Sequence, residues 1–264
     1  RSLIKKVDKK YRKEFELLVK DLPEGVELVD GKFQPWDLSY TEETYKKKYF
    51  DLDSRKIAEY FPMEKTIEGI FEIYQSFLGL NFKISSPSGL WHEDVKLIEV
   101  FEAGRGQAIG YIFLDLYPRE NKYSHACMAE FIGGMQNGPD SNGRIPAVLA
   151  IIANFPKSTK DRPSLLKHSD VETFFHEFGH AMHEVLGCTK MSDFSGTSCK
   201  CDFVEVPSQM FEEWMWDKSA IRKVSSHFKT GQPLPDEIIT SPVRTEILTV
   251  LLLLPPTSSA ITPN

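Results

Sequence analysis

Two imidazoles and a carboxylate fall within five residues, His176-Glu177-Phe178-Gly179-His180. Residues four apart on an α-helix share a face, so a helical run points His176 and His180 the same way. Two imidazoles so placed can bind one zinc ion. Glu177 lies next to the first of them and reaches a zinc-bound water rather than the metal. Zinc lowers the pKa of such a water to about 7. Glu177 can then take its proton and pass it to a leaving amine. Hydrolytic zinc normally has three protein ligands and one open position. Glu205, 29 residues beyond His176 in the run Asp202-Phe203-Val204-Glu205-Val206-Pro207-Ser208-Gln209, is the strongest third candidate. Asp202 and Glu205 also fit a capping box, which is the plainer use of that glutamate.

Supporting groups follow from helical spacing. Glu172 stands four residues before His176 and can accept the second N–H of a ligand ring. It equally fits a capping box with Ser169. Gln209 and Glu212 follow Glu205 on its own face and read as support for the metal site or as plain surface. His183 reads as a neighbour of the site rather than a fourth ligand. Cys199 and Cys201 are soft donors, but the two histidines and Glu205 already complete a site.

The elements that must position these residues are legible in part. Residues 1–80 read mainly as helix, with Ile67, Ile70, Phe71, Tyr74, Phe77 and Leu78 at helical spacing. Pro62 marks a break before that helix and Gly79 its stop. Residues 81–155 change character. Segments 95–101 and 110–116 are rich in β-branched and aromatic residues, with Gly104 and Gly106 between them, and predict a hairpin. The apolar run 147–155 reads as a buried strand, with helix as the alternative. The stretch 133–144 is turn-rich and reads as an exposed loop. A helix over 169–187 carries the two imidazoles, with Val171, Phe174, Phe175, Phe178, Met182 and Val185 as its apolar face and Gly187 as its stop. A second helix covers much of 203–228, with Pro207 near its start or kinking it.

Composition narrows the classes. The 264 residues are 41% hydrophobic and 27% charged with a net charge of −6, which argues against general affinity for nucleic acid. No apolar run is long enough to span a membrane, and the run at 248–254 is far too short. The basic amphipathic N-terminus lacks the apolar core of a secretory signal. Four cysteines make no disulfide framework and fit a reducing compartment.

Several separated stretches resemble the thimet oligopeptidase and neurolysin family of zinc peptidases, in family order: EYFPME at 59–64, LWHEDV at 90–95, LDLYPRENKYSHA at 114–126, VETFFHEFGHAMH at 171–183, FSGT at 194–197 and DFVEVPSQM at 202–210. The resemblance implies a mainly α fold of the α+β kind, with a small sheet beside the active-site helix and a deep channel. It implies a zinc metalloendopeptidase acting on short oligopeptides, with one zinc ion on His176, His180 and Glu205 and Glu177 as base. It suggests that Tyr117, Arg119 and His125 border the substrate. A monomer in the cytoplasm is expected, with mitochondria as the alternative. Residues 1–240 read as a partial catalytic domain, divided into a helical part at 1–80, a sheet region at 81–155 and the zinc helices at 169–228. Residues 241–264 read as a divergent, disordered tail.

Two departures stand out. Where the family has a His-Val-Glu-Arg-like tetrapeptide after FSGT, this chain has Ser198-Cys199-Lys200-Cys201. The family also carries tyrosines and a histidine beyond the second metal helix, whereas all nine tyrosines here lie at or before Tyr123. The chain therefore reads as a truncated member, and a peptide-binding module that keeps zinc without turnover is the alternative function.

Overall fold

The structure is a computed structural model that describes residues 2–50, 53–136 and 143–239. The expected tail at 241–264 lies outside the described residues, as does the middle of the expected loop at 133–144. Helix accounts for 44% and strand for 19%, so the α+β expectation holds. The chain divides into two compact units, one of Ile57–Leu234 and one formed by the residues up to Lys56 with the segment from Pro235.

In the N-terminal unit, α1 (Ser2–Val19) and α2 (Pro35–Phe50) pack on each other. Asp21 beyond α1 accepts hydrogen bonds from Lys48 and Tyr49 of α2 at 2.5 and 2.8 Å. A short helix, α3 (Ser54–Ala58), follows.

In the larger unit α4 (Met63–Leu78) starts after Pro62 and ends at Gly79 in the left-handed region, φ +66°. That is the break and stop read from the sequence. Five strands form one sheet in the order β1-β2-β3-β7-β4. They are β1 (Leu80–Ser85), β2 (Lys96–Glu102), β3 (Ala108–Asp115), β4 (Cys127–Ile132) and β7 (Ala147–Ile152). The expected hairpin is β2–β3, antiparallel with Ile98 opposite Ile112. The apolar run at 147–152 is strand, parallel to β3, and β4 pairs antiparallel on its outer side. The ends of the expected loop form a two-stranded ladder, β5 (Met135–Gln136) with β6 (Arg144–Ile145).

The helix α5 (His168–Leu186) packs across β7, β4 and β3. Its expected apolar face is realised: Val171, Phe174, Phe175, Phe178, Met182 and Val185 are all 0–1% exposed. Each such burial stabilises by about 1.5–3 kcal/mol. Its start differs from expectation. The carboxylate of Asp170 reaches back to accept the Lys167 N–H at 2.8 Å, so the cap is Lys167, two residues before Ser169. Glu172 is left free for His168, 3.6 Å away. Near the middle of α5, the fully buried Tyr74 of α4 donates its hydroxyl to the Phe175 carbonyl at 2.9 Å.

The expected second helix is not continuous. The helix α6 (Cys201–Glu212) contains Pro207, passes into a 3-10 turn at Glu213–Trp216, and stops. Asp217 has extended backbone and caps a new helix, α7 (Lys218–Val224), accepting the N–H groups of Ser219 and Ala220 at 2.9 and 3.1 Å. A capping aspartate inside an apolar pattern is what divides the helix. A last short helix, α8, covers Asp236–Ile239.

Beyond β3 a buried charge cluster shapes the chain leading to β4. Asp115 is 4% exposed. It accepts two bonds from Arg119 at 2.6 and 2.7 Å and one from the Trp91 indole at 2.9 Å, and it pairs with Lys122 at 2.9 Å. Lys122 also donates to the carbonyls of Asp115, Tyr117 and Ala153 at 2.8, 2.7 and 2.6 Å. Burial acts to raise the Asp115 carboxyl, but the bonds from Arg119, Trp91 and Lys122 outweigh it and hold the group well below the usual carboxylate range. Asp115→Ala leaves Lys122 buried without its counter-charge. We expect a loss of about 3–5 kcal/mol in denaturant unfolding. A carboxyl held low when folded stabilises above its unfolded value of ~3.9, and that stabilisation is lost as pH falls through the folded value. The variant should therefore lose stability at neutral pH but show a flatter acid limb.

Candidate metal centre

The closest approach of two helices builds the site. Gly179 of α5 faces α6 so tightly that an added Cβ would lie 2.8 Å from the Ser208 Cα and 3.3 Å from the Phe211 ring. No residue but glycine allows that separation. It carries Glu205 up to the imidazoles of α5.

Three donor atoms converge there. The Nε2 atoms of His176 and His180 are 3.1 Å apart, and the Glu205 Oε2 is 3.3 Å from the first and 3.2 Å from the second. Zinc bonds to imidazole nitrogen and carboxylate oxygen are ~2.0–2.1 Å, so a tetrahedron of donors around it has edges of about 3.3–3.4 Å. The three atoms form nearly such a face, and the trio is the one metal-competent cluster of histidine, cysteine and acidic groups among the described residues. Their chemistry and spacing fit one small cation. The Glu205 side chain is 46% exposed and the His180 side chain 12%, so the cluster opens to solvent on the Glu205 side.

Neighbouring groups orient the donors. Glu212 accepts from the His176 Nδ1 at 2.7 Å, which turns Nε2 toward the cluster. The Ser208 hydroxyl donates to the Glu205 Oε2 at 2.9 Å. Burial lowers the His180 pKa, with Glu205 opposing and His176 reinforcing, so its ring stays neutral as a ligand must be. Glu177 is 8% exposed, on the side of α5 that meets β4. Burial raises its carboxyl, and the Coulombic pull of His176 and a bond from the Met128 N–H of β4 oppose the rise.

The structure therefore brings together His176, His180, Glu205, Glu177 and Glu212. Gln209 is exposed, and Glu172 faces His168. The three residues suggested for substrate have their partners elsewhere. Arg119 is bound to Asp115, the Tyr117 ring lies 5.5 Å from the Lys157 ammonium, and His125 neighbours the Tyr123 ring at 5.5 Å. Cys199 and Cys201 are exposed, free thiols ahead of Glu205. Sequence reading missed Gly179, Ser208 and the Met128 amide. Only Ser208 had a signal, three positions after Glu205 on a helix.

A family model for peptidase family M3 matches residues 1–253. The chain belongs to that family. It is 42% identical over 249 residues to saccharolysin of Saccharomyces cerevisiae, a match that covers 89% of this chain and 34% of that protein. Oligopeptidase A of Escherichia coli is 35% identical over 209 residues, covering 79% of this chain and 30% of its own length. A mitochondrial intermediate peptidase of Arabidopsis thaliana is 33% identical over 213 residues, covering 80% and 30%. This M3 chain thus spans about a third of the length of the curated relatives it matches.

Two substitutions probe the geometry. Glu212→Ala frees the His176 ring to rotate, and metal affinity should fall ~10–100-fold in equilibrium dialysis with the fold unchanged by circular dichroism. Gly179→Ala pushes α6 off α5 and separates Glu205 from the imidazoles. Metal affinity should drop below that of the Glu212 variant, whereas an affinity equal to wild type would contradict the close-approach account.

Proposed function

We propose that the chain carries the centre of a zinc metalloendopeptidase that hydrolyses peptide bonds of short oligopeptides. The observation that supports it is the meeting of three ligand atoms beside a buried carboxylate that is not one of them. His176, His180 and Glu205 would hold one zinc ion. Bound there, zinc supplies Lewis acidity and lowers the pKa of a water at its open position to about 7.

The protein groups divide the remaining work. Glu177 carries the proton. Its carboxyl binds protons more tightly than an exposed one because burial disfavours its charge. A proton it accepts can therefore be held until a leaving amine takes it. The Met128 N–H orients that carboxylate and leaves it acceptor capacity. Glu212 keeps His176 in the tautomer that presents Nε2. Tyr117 and His125 are proposed as peptide contacts, with Arg119 reaching a peptide through whatever donors Asp115 leaves open.

Relatives named oligopeptidases support short peptides as the substrate class. Cytoplasm is the proposed compartment and mitochondria the alternative, since the matched relatives include both oligopeptidase A and a mitochondrial peptidase. No helix among the described residues is long and apolar enough to cross a membrane. A monomer without nucleic-acid partners is proposed with it.

One observation favours a second reading. No tyrosine of this sequence follows Tyr123, so phenol donors from beyond the metal helices are not part of it. Each missing donor to a developing oxyanion costs ~10²–10³ in turnover. A chain that binds zinc and peptide with little hydrolysis is the second reading. Zinc loading followed by a quenched-peptide assay separates the two. Glu177→Gln should cut hydrolysis at least ~10²-fold while zinc stays stoichiometric. A wild-type rate that survives this substitution would remove Glu177 from the chemistry. Peptide binding without turnover in the wild type would select the second reading.

A further inference from the structure

A cleft of about 270 Å³ opens between the first half of α4 and the sheet, and none of its lining comes from α5, α6 or β4. It is therefore separate from the metal centre. Its floor is apolar. Ile67 and Phe71, four residues apart on one face of α4, line it with Leu114 and Leu116, and each of the four is at most 8% exposed. The volume lies just below the ~300–1,000 Å³ of ordinary ligand pockets, which suits a ligand of one or two residues.

Charges ring this floor. Glu64 and Glu68 line it from α4, and Asp94 and Lys96 line it from the chain entering β2. Two of the acids are already neutralised: Glu68 pairs with Lys65 at 2.7 Å and Asp94 with Lys157 at 2.6 Å. Glu64 and Lys96 differ. Both are exposed, and neither has an ion-pair partner among the described residues. The cleft thus keeps one free carboxylate on its helix wall and one free ammonium on its strand wall. The Tyr117 phenol lines the same cleft. Burial raises its pKa and the charges of Glu64 and Asp94 raise it further, so it remains a hydrogen-bond donor at neutral pH.

A purely apolar ligand leaves both charges unused. A simple anion or cation meets one partner and one repelling group. We propose that the cleft binds a short zwitterionic peptide with apolar side chains, its ammonium on Glu64, its carboxylate on Lys96 and a side chain on the apolar floor. The Tyr117 hydroxyl donates to the peptide carbonyl. The peptide contact proposed for Tyr117 falls in this cleft and shares that part of the earlier reading, whereas the three ligands and Glu177 lie outside it.

Titration calorimetry of the full chain with leucyl-leucine, with no zinc added, tests the site without any part played by turnover. Saturable binding with a Kd of ~1 mM is expected for so few contacts. N-acetyl-leucyl-leucine and leucyl-leucinamide each lack one charge, and each should bind the wild type about three- to fivefold more weakly. Glu64→Gln should lose the sensitivity to acetylation alone, and Lys96→Met the sensitivity to amidation alone. Both side chains are at the surface, so both variants should fold as the wild type does. Bound peptide should slow amide exchange at Met63–Phe71 and leave α5 unchanged. No saturable binding up to ~10 mM, equal binding of the three peptides, capping effects that survive in the matched variant, or protection confined to α5 would overturn the site.

Discussion

The backbone contact between α5 and α6 at Gly179 is the constraint on which the metal centre depends. Two imidazoles on one helical turn are a common arrangement; the third donor is not local. Glu205 reaches them only because Gly179 has no side chain and Ser208 is small enough to sit against it. The same crossing delivers Glu212 to His176, one turn nearer the start of α5. One close approach thus fixes a ligand and the group that orients another ligand.

Burial then assigns different protonation habits to acids of one chemical type. Asp115, surrounded by Arg119, Lys122 and Trp91, is kept ionised. Glu177 is raised by desolvation against the pull of His176 and the Met128 amide. Glu130, at the exposed end of β4, is raised by desolvation and further by the charge of Glu184. The sheet and the helix packed on it are the medium that makes these differences, since water would level them all.

Much of this was readable from residue order. The apolar stripe from Val171 to Val185 has the period of a helix half-sunk in a core, and the β2–β3 hairpin announces itself by β-branched residues around two glycines. Those are local patterns with one physical solution each. The strands β1 and β4 escaped notice because they run at the sheet edges, where one side meets solvent and alternation is blurred; β4 ends in three exposed residues. Glu212 and Gln209 share a helical face with Glu205, and spacing alone does not choose between them. The crossing of α5 by α6 does, and that is a tertiary fact. Lys122 looked like an ordinary loop lysine, yet its ammonium sits inside a ring of carbonyl oxygens supplied by residues up to 31 positions away. Long-range closure of that kind leaves no periodic trace.

The hydroxyl of Tyr74 has a bearing on which ions the centre can accept. By holding the Phe175 carbonyl it prevents α5 from rolling about its own axis just where His176 begins. The two imidazoles mounted on that helix would keep their spacing when an ion arrives, and such a site would discriminate by ionic radius. Calcium, with oxygen ligands at ~2.3–2.6 Å and a demand for six or more of them, finds the opening too narrow and too poor in oxygen. A smaller, nitrogen-tolerant cation meets donors already at its own bond length, and the helix need not deform to admit it.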